Sequence, residues 1–314
     1  MAGTPLSLAL FWVTVVCYLV GLLGFVLYLP LRRRLVADLG LGAVMSGWPF
    51  HAGSIVARAL EAGHWPLGNM YEYSTAIAFI VVTTFIVLAL RAGLRLIGIP
   101  CTVLATALLG VAYMLYVPPG QLVPALHSYW LTIHVTAMAT ASGLLTFSFV
   151  FAMLYLTRRW ADQSIGTASG RHPGEGRAVV TPAGTPLSVG GGAVGGARSL
   201  VAARAIARVL PSARSLDEWS YRFVMLGFPI WSFGVICGAI WGEHAWGRYW
   251  GWDPKETFAF ITWVVFAIYL HARVTYGWRE VRAAAITGVG FVAILFTLYA
   301  VNLWIAGLHS YARA

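Results

Sequence analysis

The chain alternates long apolar segments with short polar connections. A helix that crosses the apolar core of a bilayer needs about 20 residues, and eight segments have roughly that length and character. They cover residues 6–29, 39–60, 72–90, 96–117, 129–156, 219–241, 256–275 and 283–307. The pattern predicts an all-α, polytopic integral membrane protein with about eight transmembrane helices. Glycines and Pro49 interrupt the second segment, for which a re-entrant or interfacial element is the alternative.

The composition is typical of a membrane protein. Hydrophobic residues make up 59% of the 314 residues and charged residues 10%, whereas about a quarter of the positions in a soluble domain are charged. The formal net charge is +10, but the basic residues cluster beside apolar segments, as in cytoplasmic loops, so we expect no nucleic-acid partner. The three cysteines form no C-x-x-C pair and indicate buried, inert thiols.

The distribution of basic residues predicts the orientation. If eight helices cross the membrane and both termini lie outside, all but four of the 21 lysines and arginines fall on the inner side. The four on the outer side are Arg58, Arg248, Lys255 and Arg313. Because positive residues are retained on the cytoplasmic side, the bias favours this orientation over its reverse.

Three parts are expected along the chain. Residues 1–156 form transmembrane helices 1–5, residues 157–215 form a flexible cytoplasmic loop, and residues 216–314 form helices 6–8 with an external loop at 241–256. Glycine, serine, threonine and proline dominate residues 161–200, where apolar periodicity disappears. The glycine run there lacks the Gly-Lys-Ser/Thr ending of a phosphate-binding loop. The basic and partly amphipathic stretch at residues 198–216 is a candidate for the inner leaflet surface.

Reporter fusions test this topology. A reporter fused after Ala314 is expected outside, and a reporter inserted near Gly192 inside, because positively charged connections stay in the cytoplasm. The measurement is labelling of each reporter by a membrane-impermeant reagent in intact cells. Finding both reporters on the same side would remove the arrangement with eight helices.

An unusual aromatic run lies between the sixth and seventh apolar segments. Four tryptophans occur within sixteen residues, beside Tyr249 and several glycines. They are Trp241, Trp246, Trp250 and Trp252. Tryptophans at a membrane interface often form only an aromatic belt, but belt tryptophans are scattered over several helix ends. Their concentration in one short segment favours a platform for a flat ligand at the membrane surface.

Two histidines are predicted on the same side of the membrane as these tryptophans. His134 lies about five residues, or roughly 8 Å, inside the outer end of the fifth helix, and His309 follows the outer end of the last helix. Two neutral imidazoles across an aromatic floor can hold a haem iron from both sides. His127, two helical turns before His134, is a rival ligand.

Two other residues have both a structural and a functional interpretation. Asp253 precedes Pro254, and Glu256 follows at the third helical position, which favours an N-cap over a catalytic role. His271 lies seventeen residues after Pro254, about 25 Å along the helix and toward its inner end. An ionisable residue within the membrane is a candidate for function. A second haem position and a structural hydrogen bond both remain open for His271.

The aromatic run resembles a known signature. Residues 241–257 read W-G-x-x-x-W-G-R-Y-W-x-W-D-P-K-E-T and are similar to the tryptophan-rich WWD signature of haem-handling proteins. Within that superfamily the chain looks like the CcsA family of System II cytochrome c biogenesis, called CcsB or ResC in Gram-positive bacteria. Further similar stretches are 63–72, 126–135, 269–273 and 301–311, so the resemblance covers nearly everything outside the predicted cytoplasmic loop.

The resemblance implies a function and a set of ligand-binding residues. Members of the family deliver haem across the membrane and present it for covalent thioether attachment to apocytochrome c. It implies haem b as the ligand, external axial ligation by His134 and His309, and a haem site within the membrane at His271. The residues expected to contact haem are His134, His309, His271, Trp241, Trp246, Trp250, Trp252 and Asp253.

The resemblance also implies partners and a location. The partners are a membrane protein of the ResB type, with which the chain would form a haem-lyase complex, and an apocytochrome c that carries a Cys-x-x-Cys-His motif. A thiol-reducing partner is expected as well, since this chain has no C-x-x-C pair. The expected location is the plasma (inner) membrane, with the haem site on its external face.

A membrane redox protein is the competing interpretation. A di-haem cytochrome b-like subunit of a quinone oxidoreductase would also use histidines at two depths, but the sequence shows no clear inner partner for His271. A solute transporter is a third interpretation. The acidic residues argue against it, because they lie near helix ends rather than at the midplane of the membrane. Bound b-type haem would exclude the transporter, and quinol turnover without apocytochrome would favour the redox protein.

Overall fold

The computed structural model describes residues 4–122, 126–169, 192–305 and 307. In these residues every regular element is a helix, which confirms an all-α membrane protein. The helices are α1 (Leu6–Leu31), α2 (Arg34–Ala62), α3 (Met70–Arg91), α4 (Gly98–Met114), α5 (Tyr129–Ser169), α6 (Gly192–Val209), α7 (Ala213–Trp246), α8 (Pro254–Thr275), α9 (Glu280–Leu295) and α10 (Val301–Trp304). A 3-10 turn, Arg95–Ile97, precedes α4, and a π-helical segment, Phe296–Ala300, joins α9 to α10.

Six helical segments of the described chain are long and apolar enough to cross a membrane. They are Leu6–Leu31, Met70–Arg91, Tyr129–Ala168, Ala213–Trp246, Pro254–Thr275 and Glu280–Trp304. Helix α4 is apolar but has only 17 residues, and α2 carries buried polar residues, among them His51, Ser54 and Arg58. All eight predicted segments are therefore helical, while the number of spans and the outer location of both termini stay predictions.

Helix α2 runs antiparallel to α1 as one continuous helix, which argues against a re-entrant element. Near the turn between them, a Cβ on Gly24 would lie 2.7 Å from the Cα of Gly40, so the two backbones touch. At the far end, Glu61 accepts hydrogen bonds from the amide and the hydroxyl of Ser7 at 2.9 and 2.5 Å. Helix α2 thus accompanies α1 along most of its length.

Helices α5 and α7 pack closely because one face of α7 carries glycines. A Cβ on Gly227, Gly234 or Gly238 would lie 2.9, 2.7 or 2.6 Å, respectively, from the nearest side chain of α5. The last two glycines form a Gly-x-x-x-Gly spacing, which is typical of close helix packing in membranes. The backbone of α7 therefore lies directly against side chains of α5.

A buried ion pair holds two connections together at the end of the bundle where α3 begins. Arg58 donates from Nε to Glu72 and from Nη2 to the carbonyl of Val117, both at 2.8 Å. Glu72 also accepts from the amide of Gly68 at 2.8 Å. Because a buried charge must be paired and hydrogen-bonded, this network fixes the connections after α2 and after α4.

The segment predicted as a flexible loop, residues 157–215, is helical in most of its described part, apart from residues 210–212. Helix α5 continues to Ser169 and α6 occupies Gly192–Val209, while residues 170–191 lie outside the described residues. Composition alone did not predict this, since glycines and serines weaken the helical pattern that packing restores.

Arg158 explains why the end of α6 is ordered against α5. Its Nη1 donates to the carbonyls of Ala207 and Leu210 at 2.9 and 2.7 Å. The last carbonyls of a helix have no partner within the helix, and a basic side chain there is favourable. A side chain of α5 thus caps α6.

The tryptophan run begins inside a helix, so the predicted external loop of residues 241–256 is too long. Helix α7 continues through the first two tryptophans to Trp246, and Gly247 ends it with a φ of 68°. Glycine adopts this left-handed conformation at little cost. Only the last two tryptophans lie on the connection itself, residues 247–253, which we call the tryptophan connection.

Candidate functional site

A cleft with a volume of ≈ 130 Å³ opens at the end of the bundle that carries the tryptophans. Its wall comes from residues 67–70, from α5 and α7, and from the tryptophan connection with the helices that follow it. The polar and aromatic residues on the wall include Tyr73, His134, Trp231, Trp241, Tyr249, Trp250, Lys255, Glu256 and Asn302. A mostly apolar cleft with a few convergent polar groups is the usual form of a ligand site.

His134 lines this cleft and keeps one ring nitrogen free. Its Nδ1 lies 2.7 Å from the carbonyl oxygen of Gly234. Because a carbonyl only accepts, Nδ1 carries the proton and donates. The lone pair of the neutral ring is then on Nε2, which makes no hydrogen bond among the described residues. A carbonyl partner on the far nitrogen is the usual device that orients a metal-binding histidine.

Gly238 allows His134 to take this position. A Cβ at residue 238 would lie 2.6 Å from Nδ1 and 2.7 Å from Cε1 of His134, closer than side-chain atoms approach each other. The imidazole therefore lies against bare backbone of α7. Gly238 was not among the predicted site residues, although its Gly-x-x-x-Gly spacing with Gly234 is the signal that indicates it.

Trp241 and Trp246 form an aromatic wall beside His134. The ring of Trp241 is 1% exposed and nearly parallel to the ring of His134, with centroids 6.3 Å apart and planes 14° apart. Trp246 packs edge-on against Trp241, with centroids 4.7 Å apart, and is not part of the cleft's wall. Both tryptophans lie on α7, so the helix fixes the wall relative to His134.

Trp250 and Trp252 occupy different environments. Trp250 lines the cleft, whereas Trp252 is 66% exposed. Their rings meet edge to face at 5.7 Å, and both contact Phe260 of α8. Trp252 has a φ of 56°, which is uncommon for a residue with a Cβ and typical of strained functional segments. The four tryptophans therefore do not form one flat platform, because only two of them line the cleft.

Asp253 has the structural role that the sequence favours. Its Oδ2 accepts from the amide of Lys255 at 3.2 Å. The Oε2 of Glu256 accepts from the amides of Gly251 and Asp253 at 2.8 and 3.1 Å. With Pro254 at the first helical position, this reciprocal arrangement is a capping box. It fixes how the tryptophan connection joins α8.

Substitution of Asp253 separates a capping role from a role of its charge. Asp253→Ala is expected to destabilise the protein by about 1 kcal/mol, the usual cost of losing an N-cap side chain. Asp253→Asn still accepts a hydrogen bond and is expected to restore most of that stability. Thermal unfolding and haem binding of the purified variants are the measurements. Loss of haem binding by a fully stable Asp253→Asn variant would show that the carboxylate charge is needed.

Lys255 and Asn302 are polar residues of the cleft that were not among the predicted site residues. Nζ of Lys255 donates to Oδ1 of Asn302 at 2.9 Å. Asn302 follows the π-helical segment Phe296–Ala300, which displaces the side chains beyond it relative to an uninterrupted α-helix. No periodicity indicates this contact, since the two residues are 47 positions apart and the π-helical turn departs from the α-helical repeat.

His271 lies outside the cleft, on an exposed face of α8. Its Nδ1 is 3.5 Å from the hydroxyl of Thr275, and its ring meets Tyr276 edge-on at 5.7 Å. The structure thus separates His271 from His134, as expected from their depths in the sequence.

The two other candidate histidines are not part of the cleft's described wall. His309 lies outside the described residues. Gly307 is described, and a Cβ there would lie 2.6 Å from Oδ1 of Asp253, so Gly307 approaches the start of α8. His127 is exposed and lines a neighbouring cavity instead.

The residues of the cleft suit a flat ligand that contains a metal. An imidazole with one free nitrogen suits iron, and aromatic rings suit a porphyrin. The volume of ≈ 130 Å³ is below the roughly 300–1,000 Å³ of usual ligand pockets. The cleft as described is therefore smaller than the usual pocket for a whole ligand.

Known proteins similar to this chain share one description. The profile of the cytochrome c assembly protein family matches residues 67–309, a range that contains the whole wall of the cleft. The cytochrome c biogenesis protein CcsA of Gloeobacter violaceus is 37% identical over 299 residues, which cover 89% of this chain and 88% of the relative. CcsA of Synechococcus elongatus is 39% identical over 271 residues, which cover 81% of each.

Proposed function

This chain belongs to the cytochrome c assembly protein family, and on that premise we propose that it delivers haem across the membrane and presents it for thioether attachment to apocytochrome c. Its family and its membrane-length helices make it a multi-pass membrane protein of cytochrome c biogenesis that handles haem. The proposed ligand is haem b. The proposed location is the plasma (inner) membrane, with the cleft on the external face.

The hydrogen bonding of His134 carries this proposal. Its Nδ1 donates to Gly234 at 2.7 Å, which leaves Nε2 as the nitrogen available for iron. Trp241 lies nearly parallel to the imidazole, and Trp250 lies on the same wall. His134 is thus proposed as one external axial ligand of the haem iron.

His309 is proposed as the axial ligand on the opposite side of the haem. Gly307 lies against Asp253, so the described chain ends beside the tryptophan connection. Two residues of chain span about 7 Å at most. This reach supports a second ligand close to the rim of the cleft.

His271 is proposed to serve another haem position, shared with a second chain. Its ring is exposed on α8, about 25 Å along the helix from the tryptophan connection. The apolar residues near it are exposed too, with Ile268 at 51% and Val274 at 73%. A haem ligated there would need another protein to cover it, and a membrane protein of the ResB type is the proposed partner.

The proposed reaction adds the thiols of apocytochrome c to the vinyl groups of haem. Each cysteine sulfur bonds to one vinyl carbon and the thiol hydrogen goes to the other, so the addition needs no oxidant. This chain supplies iron ligation through His134, together with orientation and exclusion of water by the aromatic wall. Bound geometry alone can lower such a barrier by several kcal/mol, and up to roughly 7–11 kcal/mol in well-oriented cases.

The thiols of apocytochrome c must be reduced before they can add. The cysteines of this chain are free and lie on three different helices, at Cys17, Cys101 and Cys237. They therefore do not provide the paired thiols of a disulfide reductase. A separate thiol-reducing partner is proposed.

Co-expression tests the proposed function. Cells without their own cytochrome c assembly factors receive this chain, a ResB-type protein and a reporter with a Cys-x-x-Cys-His motif. Haem-dependent peroxidase staining of the denatured reporter measures covalent attachment, which we expect only when this chain carries His134. Bound haem b with quinol turnover and no covalent haem in the reporter would instead favour the di-haem oxidoreductase.

A further inference from the structure

We propose that Lys255 binds a haem propionate and thereby decides which edge of the haem enters the cleft. The inference rests on the proposed function, because it assumes that the cleft binds haem. It adds a carboxylate-binding residue to the iron ligand His134 and the aromatic wall.

Lys255 has hydrogen-bonding capacity that the described residues do not use. Its side chain is half-buried and lines the cleft. An ammonium group has three donors, and among the described residues only Oδ1 of Asn302 accepts from it, at 2.9 Å. No described carboxylate forms an ion pair with Lys255. The cleft therefore contains a cation whose remaining donors are available to a ligand.

Two other basic side chains of low exposure each form an ion pair with a carboxylate. Arg58 is paired with Glu72 at 2.8 Å, and Arg273 is paired with Asp217 at 2.6 Å. Pairing of this kind offsets the cost of removing a charge from water. Lys255 departs from this rule within the described chain, and an anionic ligand would complete the same pattern.

The position of Lys255 on α8 adds to its preference for an anion. It is the second residue of the helix, where the helix dipole presents positive charge and a basic side chain is unfavourable. The two nearest acids in sequence, Asp253 and Glu256, both serve the capping box: Asp253 accepts from the amide of Lys255, and Glu256 accepts from two backbone amides. Neither carboxylate forms an ion pair with Nζ of Lys255 among the described residues. The field at this point of the cleft therefore favours a negative group.

The neighbouring residues indicate a porphyrin carboxylate rather than a lipid or peptide anion. Lys255 shares the cleft with His134, whose free Nε2 is of use to a metal, and with the ring of Trp250. A ligand that engages all three has a metal, a flat face and a carboxylate at its edge. Haem b has these features, with its propionates on one edge and its vinyl groups toward the other.

The small volume of the cleft means that the edge of the haem bound by Lys255 determines which groups of the haem remain outside. A cleft of ≈ 130 Å³ is smaller than the usual pocket for a whole ligand, so we place one edge of the haem inside it. If Lys255 holds the propionate edge inside, the vinyl groups lie at the open side, where the thiols of apocytochrome c can reach them. Lys255 would then act as a positioning residue for thioether formation.

A comparison of two ligands tests the proposal. Purified wild-type protein, Lys255→Gln and Lys255→Arg are titrated with haem b and with its dimethyl ester, and binding is followed by absorbance. Wild-type protein is expected to bind haem roughly ten to a hundred times more tightly than the ester, the usual effect of a charged hydrogen bond. Lys255→Gln should lose this preference, and Lys255→Arg should keep much of it. Arg248→Gln removes an exposed charge from the neighbouring tryptophan connection and should behave as wild type.

Each other result overturns the proposal in a recognisable way. If Lys255→Gln keeps the preference for haem over the ester, Lys255 does not bind a propionate. If it also weakens the binding of both ligands equally, the role of Lys255 is structural. A loss of preference in Arg248→Gln as well would indicate general attraction rather than a defined contact. Wild-type protein that binds neither ligand would refute the proposed function itself. Thermal unfolding of each variant identifies a folding defect, and Lys255→Arg then provides the comparison.

Discussion

His134→Gly is expected to lower cytochrome c maturation by more than about 100-fold, and free imidazole is expected to restore part of it. Loss of a residue that merely supports a metal ligand costs about 10–100-fold, and loss of the ligand itself should cost more. The glycine variant leaves a space of the size of the ring beside Trp241, close to the face that we propose is external. Imidazole from the medium can enter that space and supply a nitrogen to the iron.

The measurement is covalent haem in an apocytochrome reporter at several millimolar-range concentrations of imidazole. His127→Gly is the matched control, because His127 is exposed and lies outside the cleft, and it should retain maturation. Trp250→Ala should lose activity without recovery, since an aromatic wall is not an exchangeable ligand. A His134→Gly protein that stays folded and holds haem, yet does not respond to imidazole, would refute the assignment of His134 as a ligand.

Gly238→Val is expected to abolish haem binding although the chain still inserts into the membrane. A Cβ at residue 238 would lie 2.6 Å from Nδ1 of His134, and the two extra methyl groups of valine need still more room. The imidazole would have to leave the carbonyl of Gly234, so its Nε2 would lose its fixed direction. A displacement of about 1 Å in such a site can cost about 100-fold.

Three alanine variants grade this effect. Gly238→Ala should weaken haem binding by about tenfold or more, because a displaced ligand loses much of the orientation that its support provides. Gly234→Ala should do less, since its nearest contact is the flexible thioether of Met138 at 2.7 Å. Gly288→Ala should have no effect, because nothing lies within 4 Å of its added Cβ. Equal haem affinity in all three would show that the contact between α5 and α7 does not position His134.

The helices could be predicted from the sequence because each is a long apolar run between polar connections. Their ends were harder, since Gly242 and Gly247 are equally plausible stops and only the second adopts a positive φ. The sequence indicated α6 only as a basic, partly amphipathic stretch at residues 198–216. Its contact with α5 is made by Arg158, a side chain of another helix. Local composition contains no information on such a contact.

The candidate site divides in the same way. His134, Trp241 and Trp250 could be selected because their residue types and predicted depth indicate a ligand site, and all three line the cleft. Gly238 and Asn302 could not be selected on those grounds. Position 238 needs glycine because a Cβ there would clash with His134. The position of Asn302 depends on a π-helical turn that the 3.6-residue repeat does not reveal.

The partner of His134 has a consequence for how this site can vary. Nδ1 donates to the main chain of Gly234, and a main-chain carbonyl is present whatever side chain stands at that position. A substitution at residue 234 therefore cannot remove this acceptor, whereas a substitution could remove a carboxylate side chain in the same role. The site is vulnerable instead to added bulk on the glycine face of α7. Collections of inactive variants should accordingly contain glycine replacements on that face, and none that acts by removing a side-chain acceptor for Nδ1 of His134.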